Sequence, residues 1–303
     1  MKIETFQTLQ AVIATGSMAK AAQQLHLTPG AVSMQVKQLE EFMGVALFDR
    51  SGHAVHPKPL ALELSALSQA FAQRIDALRQ RSTTQVQGTL RLGVLDTLLP
   101  LLLPSTLARL EQRYPQLDIA LVHGKGKFLL QQLKAASIDM AVVPQPEQAS
   151  IHRGLHCTPL MSTPFVLIAP PGSPPSVARL LQQYRVIAYD RNTTSGALAA
   201  RYLSEVHGVV KADLEFDSLP AIVPMVSLGM GVAVLQIINP RLLQTDPVEV
   251  HDLGPDAPQM RYALLTRQEL AEHRNIQAVA QVLEEVVREL GLAQASMAAR
   301  FSR

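Results

Sequence analysis

Apolar residues in the first 50 positions recur at three- and four-residue intervals, which is the spacing of amphipathic helices. The pattern falls into three blocks and predicts three short helices around a small core. The positions predicted to face inward are Phe6, Leu9, Val12, Ile13, Ala19, Ala22, Leu25, Val32, Val36 and Leu39. Ser17 and Thr28 precede the second and third blocks, and their hydroxyls make them predicted N-caps.

The outer face of the predicted third helix is polar and begins with small side chains. The residues of this face are Gly30, Ala31, Met34, Lys37, Gln38 and Glu41, with Ser33 on its flank. Such a helix can enter a DNA major groove about 12 Å wide, and its exposed N–H groups can bind a phosphate. The alternative interpretation is an ordinary three-helix packing unit with a polar outer face.

The charge of this segment is too small to favour DNA binding by itself. Residues 1–58 contain five lysines and arginines against four aspartates and glutamates. A single unit of this kind would neutralise few phosphates and bind DNA weakly. The sequence therefore predicts that two copies act on one duplex.

A second apolar pattern continues from residue 60 at steps of three and four residues. Its members are Leu60, Leu64, Leu67, Phe71, Ile75 and Leu78. A narrow apolar stripe on a long helix is typical of a helix that pairs with a second copy of itself. The alternative is a helix packed against its own domain.

After Gly88 the sequence alternates between apolar strand patterns and helical patterns. The predicted strands cover 90–94, 117–122, 138–143, 164–168, 186–189 and 229–234, and the predicted helices cover 99–114, 128–136 and 275–290. Strand–helix alternation predicts βαβ units and a parallel sheet.

Composition sets limits on the class of protein. The chain has 303 residues, of which 48% are hydrophobic and 17% charged, with a net charge of +2. This length predicts two or three domains. Cys157 is the single cysteine, so no internal disulfide can form. We expect a cytoplasmic protein, because no signal peptide pattern or membrane-spanning apolar run is present.

Enzymatic and metal-binding patterns are weak. His152, His156 and Cys157 have no second ligand pair, so a strand or loop is favoured over a metal site. Gly124–Lys127 lacks the spacing of a phosphate-binding loop and predicts a basic strand-to-helix turn. Thr194–Gly196 is not a nucleophile elbow. The sequence therefore predicts neither an enzyme nor a cofactor.

Residues 6–50 resemble the N-terminal domain of LysR-type transcriptional regulators. The resemblance runs in order through Phe6, Ala21-Ala22, Leu25, Ala31-Val32-Ser33, Gln35, Leu39-Glu40, Gly44, Leu47-Phe48 and Arg50. It implies a winged helix-turn-helix, with the third helix as the recognition helix and a wing at about residues 48–55. The predicted DNA-contacting residues are Ser17, Thr28, Pro29, Gly30, Ala31, Ser33, Met34, Lys37, Arg50 and His53.

Three departures from the family pattern concern base recognition and the start of the long helix. Met34 stands where the family often has a long polar or basic residue, and His53 stands where it usually has arginine. The family usually enters the linker helix through Leu-Thr and a following Gly, and this chain has His56-Pro57-Lys58-Pro59-Leu60 there instead. The resemblance still implies that the third helix is the recognition helix. It does not identify which bases this chain recognises.

Residues 88–290 resemble the effector-binding region of the same family. The best-matched runs are Gly88–Gly93, Tyr114-Pro115, Ile138–Ala141 and Leu228–Leu235. The resemblance implies two α/β subdomains of periplasmic-binding-protein type, with crossings near residues 162 and 266 and a ligand cleft between them. The predicted effector-binding residues, each with helix capping as the alternative role, are Asp96, Thr97, Pro144, Gln145, Asn192, Thr193, Thr194, Ser195 and Asp217.

Asp96 is unusual among these residues because the family commonly has serine or threonine near this position. A carboxylate there would repel an acidic ligand. We therefore expect Asp96 to receive a cationic or amine group of the effector, or to pair with a nearby arginine.

Together these patterns predict an α+β multidomain protein. The expected divisions are a winged helix-turn-helix at 1–58, a dimerising linker helix at 59–87, one regulatory subdomain at 88–162 and 266–303, and a second at 163–265. The expected function is ligand-responsive regulation of transcription, by a dimer doubled to a tetramer. Its partners would be double-stranded promoter DNA, a small-molecule effector and, as a further candidate, RNA polymerase. The alternative is a small-molecule-binding or enzyme-like α/β protein with a helical assembly module.

Overall fold

The structure is a computed structural model that describes residues 3–49, 55–80, 85–146, 154–208 and 212–292. The chain divides into two compact units, one of residues 1–83 with 134–137 and the other of residues 84–133 with 138–303. Within the described residues no helix is both long enough and apolar enough to cross a membrane.

The first unit is helical and carries one small hairpin-like pair of strands. Its elements are α1 (Ile3–Thr15), α2 (Met18–Gln24), α3 (Pro29–Met43), β1 (Phe48–Asp49), β2 (His56–Pro57) and α4 (Pro59–Gln80). β1 and β2 pair antiparallel. The structure confirms both predicted N-caps: Ser17 Oγ accepts from the Lys20 N–H at 3.4 Å, and Thr28 Oγ1 accepts from the Ala31 N–H at 3.2 Å.

A compact apolar core holds α1, α2 and α3 together. Its buried members are Leu9, Ala11, Val12, Ala21, Ala22, Val32, Val36, Leu39, Leu47, Phe48 and Ala61. Ala19 was predicted to face inward and is exposed instead. The buried stripe of α2 runs through Met18, Ala21, Ala22 and Leu25, because those positions share one helical face.

The second unit contains two α/β lobes, and we call the one built on the larger sheet the first lobe. Its elements are β3 (Gly88–Leu95), α5 (Leu99–Arg113), β4 (Leu117–Gly124), α6 (Gly126–Lys134), β5 (Met140–Pro144), β6 (Leu155–Pro164), β12 (Gln259–Arg267) and α11 (Arg274–Glu289). The strand order is β4-β3-β5-β12-β6. β3 is parallel to β4 and β5, but β12 is antiparallel to β5 and β6. The sheet is therefore mixed, and the prediction of a parallel sheet was wrong for its second half.

The second lobe contains the intervening elements. These are β7 (Val166–Ala169), α7 (Val177–Gln183), β8 (Val186–Tyr189), α8 (Thr194–His207), β9 (Ala212–Phe216), α9 (Leu219–Ser227), β10 (Ala233–Leu235), α10 (Leu242–Thr245) and β11 (Glu249–Asp252). β10, β7 and β11 form an antiparallel sheet, and β8 and β9 form a parallel pair. A parallel bridge between Val186 and Val232 links the two.

The chain passes between the lobes twice. The first passage is at Phe165, between β6 and β7, close to the expected residue 162. The return lies between β11 and β12, at residues 253–258, which is earlier than the expected position near 266. The difference arises because β12 pairs along its whole length with strands of the first lobe.

Helix α11 packs beside α5 in the first lobe, and ion pairs as well as apolar contacts hold the two helices together. Arg113 pairs with Glu285 at 2.7 Å, and Arg109 pairs with Glu289. The pairing lowers the pKa of both glutamates and raises the pKa of both arginines through direct hydrogen bonds. The outer layer of the first lobe is thereby fixed by residues far apart in sequence.

Candidate nucleic-acid interface and ligand site

The outer face of α3 presents the side chains that the sequence assigned to it. Pro29, Gly30, Ser33 and Lys37 are exposed, and Met34 is 57% exposed. Other predicted contacts are also accessible, since Thr28 is exposed and Ser17 and Ala31 are half-buried. Arg50 and His53 lie outside the described residues. The arrangement can place a helix N-terminus and small side chains against a nucleic acid, but individual contacts stay a prediction.

Two polar contacts of α3, neither of them predicted, fix this helix in the first unit. Thr8 Oγ1 on α1 donates to Gln35 Oε1 at 2.5 Å. Glu40 accepts from the Leu47 N–H at 2.8 Å and from the Phe48 N–H at 3.3 Å, which holds the segment leading into β1. The matched Gln35 and Glu40 therefore orient α3 and the first strand rather than face outward.

The apolar stripe of α4 divides between two environments. Leu64 packs against the core of the first unit. Leu67 and Phe71 are 69% and 61% exposed, which leaves a large apolar surface farther along the helix. The side chain of Leu78 lies outside the described residues. The first part of the helix therefore packs against its own unit, while pairing through the later part stays a prediction.

In the first lobe, predicted effector residues lie where parallel strands end. Asp96 and Thr97 follow β3, Pro144 ends β5, and Gln145 comes next. Asp96 Oδ1 lies 2.7 Å from His123 Nδ1 on β4, so its partner is histidine rather than the expected arginine. The open side of this edge can still receive a ligand, because Asp96 is exposed.

In the second lobe, the polar turn before α8 is closed by its own hydrogen bonds. Thr193 is the N-cap: its hydroxyl accepts from the Gly196 N–H at 3.0 Å and donates to the Asp190 carbonyl at 2.6 Å. Asn192 donates from its backbone N–H to Asp190 Oδ1 at 2.8 Å. Thr193 therefore has the helix-capping role that was the alternative to ligand binding. Thr194 is exposed.

The structure brings the two edges together at Lys125, in the turn between β4 and α6. Its Nζ lies 2.8 Å from Asp217 Oδ2 and 3.7 Å from Asp190 Oδ2. The hydrogen bond raises the pKa of Lys125 and lowers the pKa of Asp217, so both groups are charged at neutral pH. Gly124–Lys127 is the predicted strand-to-helix turn, but sequence reasoning missed its lysine as part of the site.

Tyr189 stands beside these charges at the end of β8. Burial raises the pKa of its phenol, and the carboxylates of Asp217, Asp190 and Asp96 raise it further, while Lys125 lowers it. Asp96 belongs to the first lobe and the other two aspartates to the second. Carboxylates of both lobes therefore act on the pKa of one phenol.

A second set of contacts between the lobes consists of hydrogen-bonded side chains around the buried Gln236. Gln236 Nε2 donates to the Tyr262 hydroxyl at 3.2 Å and also to Ser195 Oγ. Gln236 follows β10, and Tyr262 lies on β12, where burial raises its pKa strongly. Ser195 was predicted as a ligand contact and the other two were missed. The available sequence pattern was a single glutamine within the apolar run of residues 232–238.

A cavity of about 110 Å³ lies within the second lobe between α8 and β8. It is bordered mainly by small and apolar side chains, including Ala188, Ala199 and Leu203. None of the predicted effector residues lines it. The predicted effector residues therefore lie outside the lining of this cavity.

The remaining chemical candidates are His152, His156 and Cys157. His156 and Cys157 lie on β6, as favoured from their neighbours, and His152 is outside the described residues. Burial raises the pKa of the Cys157 thiol, which disfavours a thiolate. Across the part of the chain that the structure describes, no group of three or more histidine, cysteine, aspartate or glutamate side chains could hold a metal.

The fold defines a protein with a helix-turn-helix unit and a two-lobed α/β unit. Residues 3–62 match the family described as bacterial regulatory helix-turn-helix protein, lysR family, and residues 83–288 match the LysR substrate binding domain. The chain belongs to the LysR family of transcriptional regulators. The predicted family and fold class are confirmed.

The chain is similar to several transcriptional regulators. The RuBisCO operon transcriptional regulator of Allochromatium vinosum is 28% identical over 246 residues, covering 78% of this chain and 80% of that protein. YofA of Bacillus subtilis, an HTH-type transcriptional regulator, is 26% identical over 273 residues, covering 89% and 93%. A full-length OxyR variant from Pseudomonas aeruginosa superposes with a TM-score of 0.74 at 23% identity, covering 95% of this chain and 97% of that one. The last similarity concerns the fold.

Proposed function

We propose that this chain is a ligand-responsive, sequence-specific DNA-binding regulator whose small-molecule effector binds between the two lobes of its second unit. The observation that carries the proposal is the contact of Lys125 with Asp217 and Asp190. It supports a single site formed by polar strand-end residues of both lobes. Ligands of two-lobed α/β proteins bind at such edges, outside the carboxyl ends of strands. The candidate contacts remain the nine predicted effector residues.

The same proposal assigns α3 to the major groove of double-stranded DNA. Its first turn exposes Pro29 and Gly30, small residues that suit close approach to phosphates and base edges. The weak net charge of one unit requires a second copy, and the exposed apolar part of α4 offers a surface for it. A dimer, doubled to a tetramer, would then read two half-sites, with RNA polymerase as a further partner.

The domain divisions follow the same assignment. We keep 1–58 as the DNA-binding domain and 59–87 as the linker helix. The return from the second regulatory subdomain to the first is moved from residue 266 to the segment before Gln259, since β12 pairs with β5 and β6. Effector binding would act by changing the relative populations of arrangements of these parts.

A gel shift against the DNA upstream of the protein's own gene tests the DNA-binding part. We expect retention that is sequence-selective and that weakens from 50 to 200 mM salt, conditions over which phosphate-contacting proteins typically lose about 10³–10⁵ in affinity when six to ten contacts are made. A random duplex of equal length is the control. Absence of retention at the lower salt would favour the alternative of a small-molecule-binding protein with a helical assembly module.

Leu67→Glu combined with Phe71→Glu is expected to separate the dimer. Both side chains are more than half exposed, so the glutamates do not disturb the core of the first unit. In a dimer they would place charges within an apolar contact. Light scattering should then report half the native mass or less, and operator affinity should fall by about 100-fold or more because avidity is lost.

Leu62→Glu is the matched control for that variant, since Leu62 is 49% exposed on the same helix and lies outside the apolar stripe. It should keep the native mass and operator affinity. If the double variant also keeps the native mass, the exposed stripe of α4 is not the dimer contact.

A further inference from the structure

The pair of contacts made by Lys125 is unlike the other charged contacts in the second unit. The ammonium group comes from the β4–α6 turn of the first lobe, and both carboxylates come from the second lobe. By contrast, Arg91 with Asp139 and Arg201 with Glu205 are ion pairs within one lobe. Lys125 therefore links the two lobes directly through charge.

The second-lobe end of this link is firmly positioned. Asp190 donates its backbone N–H to the Phe216 carbonyl at 2.8 Å, and its Oδ1 accepts from Asn192. The carboxylate of Asp217 is next to a backbone carbonyl that accepts from the Tyr189 hydroxyl at 3.2 Å. Both carboxylates thus lie on backbone segments that are tied to β8 and β9.

The first-lobe end is firmly positioned as well. Gly126 follows Lys125 and packs so closely against β5 that an added Cβ would lie 3.2 Å from Pro144 Cδ. The preceding strand β4 pairs with β3 along eight residues. A change in the Lys125 contact must therefore involve its own flexible side chain or a relative movement of the lobes.

From this geometry we infer that Lys125 is a latch that favours the closed arrangement of the two lobes and is released when they open. Its physiological consequence rests on the proposed function, since opening would admit and release the effector. The side chains of Lys125 and Asp217 are 58% and 59% exposed, and exposed pairs of this kind are weak. A weak pair suits a switch, because it shifts the ratio of open to closed forms by about two- to fivefold without locking either.

The latch is tested by measuring the distance between the lobes in the full chain, without effector or DNA. Nitroxide labels are placed on cysteines introduced at Gln112 on α5 and Gln182 on α7, both exposed, in a Cys157→Ser background. Labelled chain is diluted with unlabelled chain so that only distances within one chain contribute. Pulsed dipolar spectroscopy then gives the populations of short and long distances.

Lys125→Met and Asp217→Asn should each raise the ratio of long to short distances by about two- to fivefold. Lys127→Met removes the same charge two residues away and should leave the distribution as in the parent. Lys125→Arg keeps the charge opposite both carboxylates and should keep the parent distribution. Circular dichroism and melting temperature establish that each variant is folded.

The latch is overturned if Lys125→Met and Asp217→Asn give the same distribution as Lys127→Met, or if Lys125→Arg raises the long-distance population as much as Lys125→Met does. Neither result depends on DNA retention or on an effector. A failed gel shift would therefore remove the proposed function and leave the latch standing, whereas unchanged distances would remove the latch alone.

Discussion

Ala31→Asp combined with Ser33→Ala is expected to abolish selective retention of operator DNA while leaving the oligomer intact. Both residues lie at the N-terminal end of α3, where the helix would approach the major groove. The new carboxylate repels phosphates, and loss of the hydroxyl removes a hydrogen-bonding group. Each lost base-edge contact costs about 1–3 kcal/mol, so two copies in a dimer should weaken specific binding by more than about 30-fold.

The double variant should remain folded. Position 31 is in the first turn of α3, where a carboxylate interacts favourably with the helix dipole. The Ala31 backbone N–H keeps its bond to Thr28 Oγ1, because that bond does not involve the replaced side chain. Ala46→Asp introduces the same charge at an exposed position after α3 and should keep operator affinity. Unchanged affinity of the double variant would show that α3 does not read DNA.

The helices of the first unit were largely predictable because local rules determine them. An apolar period of three and four residues fixed the buried face of α3, and hydroxyls before α2 and α3 marked their beginnings. Ala19 was misplaced because alanine is small enough to tolerate either side of a helix. The longer apolar chain of Met18 decided which face of α2 is buried.

The mixed sheet of the first lobe could not be predicted in the same way. The apolar strand patterns do not encode the direction of a partner strand, and β12 pairs with β5 from about 120 residues farther along the chain. The crossing segment was misplaced for the same reason. Its position depends on how far β12 extends along β6, which is a property of the folded sheet.

The candidate ligand site was predicted in part. Residues such as Asp96 and Asp217 were found because polar side chains at strand ends gather along one edge of an α/β fold. The link from Lys125 to Asp217 and the group formed by Gln236 and Tyr262 were not found, since each joins segments separated by many residues. Such pairs are visible only after the lobes are assembled.

Gly196→Ala is expected to disrupt the second-lobe side of the site and to lower its stability. Gly196 is buried in the first turn of α8, where an added Cβ would lie 2.1 Å from the Asp190 carbonyl oxygen and 2.4 Å from that of Tyr189. Both neighbours are backbone atoms, so the helix or the end of β8 must move. Overpacking of this kind costs about 1–3 kcal/mol, and a loss of about 2 kcal/mol lowers the melting temperature of such a unit by about 4–8 °C.

Movement of Asp190 in this variant should also weaken the Lys125 latch, because Asp190 supplies one of the two carboxylates that face Lys125. The labelled chain should therefore show a larger population of long interlobe distances in Gly196→Ala than in its parent. Gly30→Ala makes the same chemical change in α3, where an added Cβ meets nothing within 4 Å, and should lower neither the melting temperature nor the closed population. If Gly196→Ala melts like the parent, the close approach of α8 to β8 is not needed for stability. The turn that holds Asp190 must then be fixed by its own hydrogen bonds to Asn192 and Thr193.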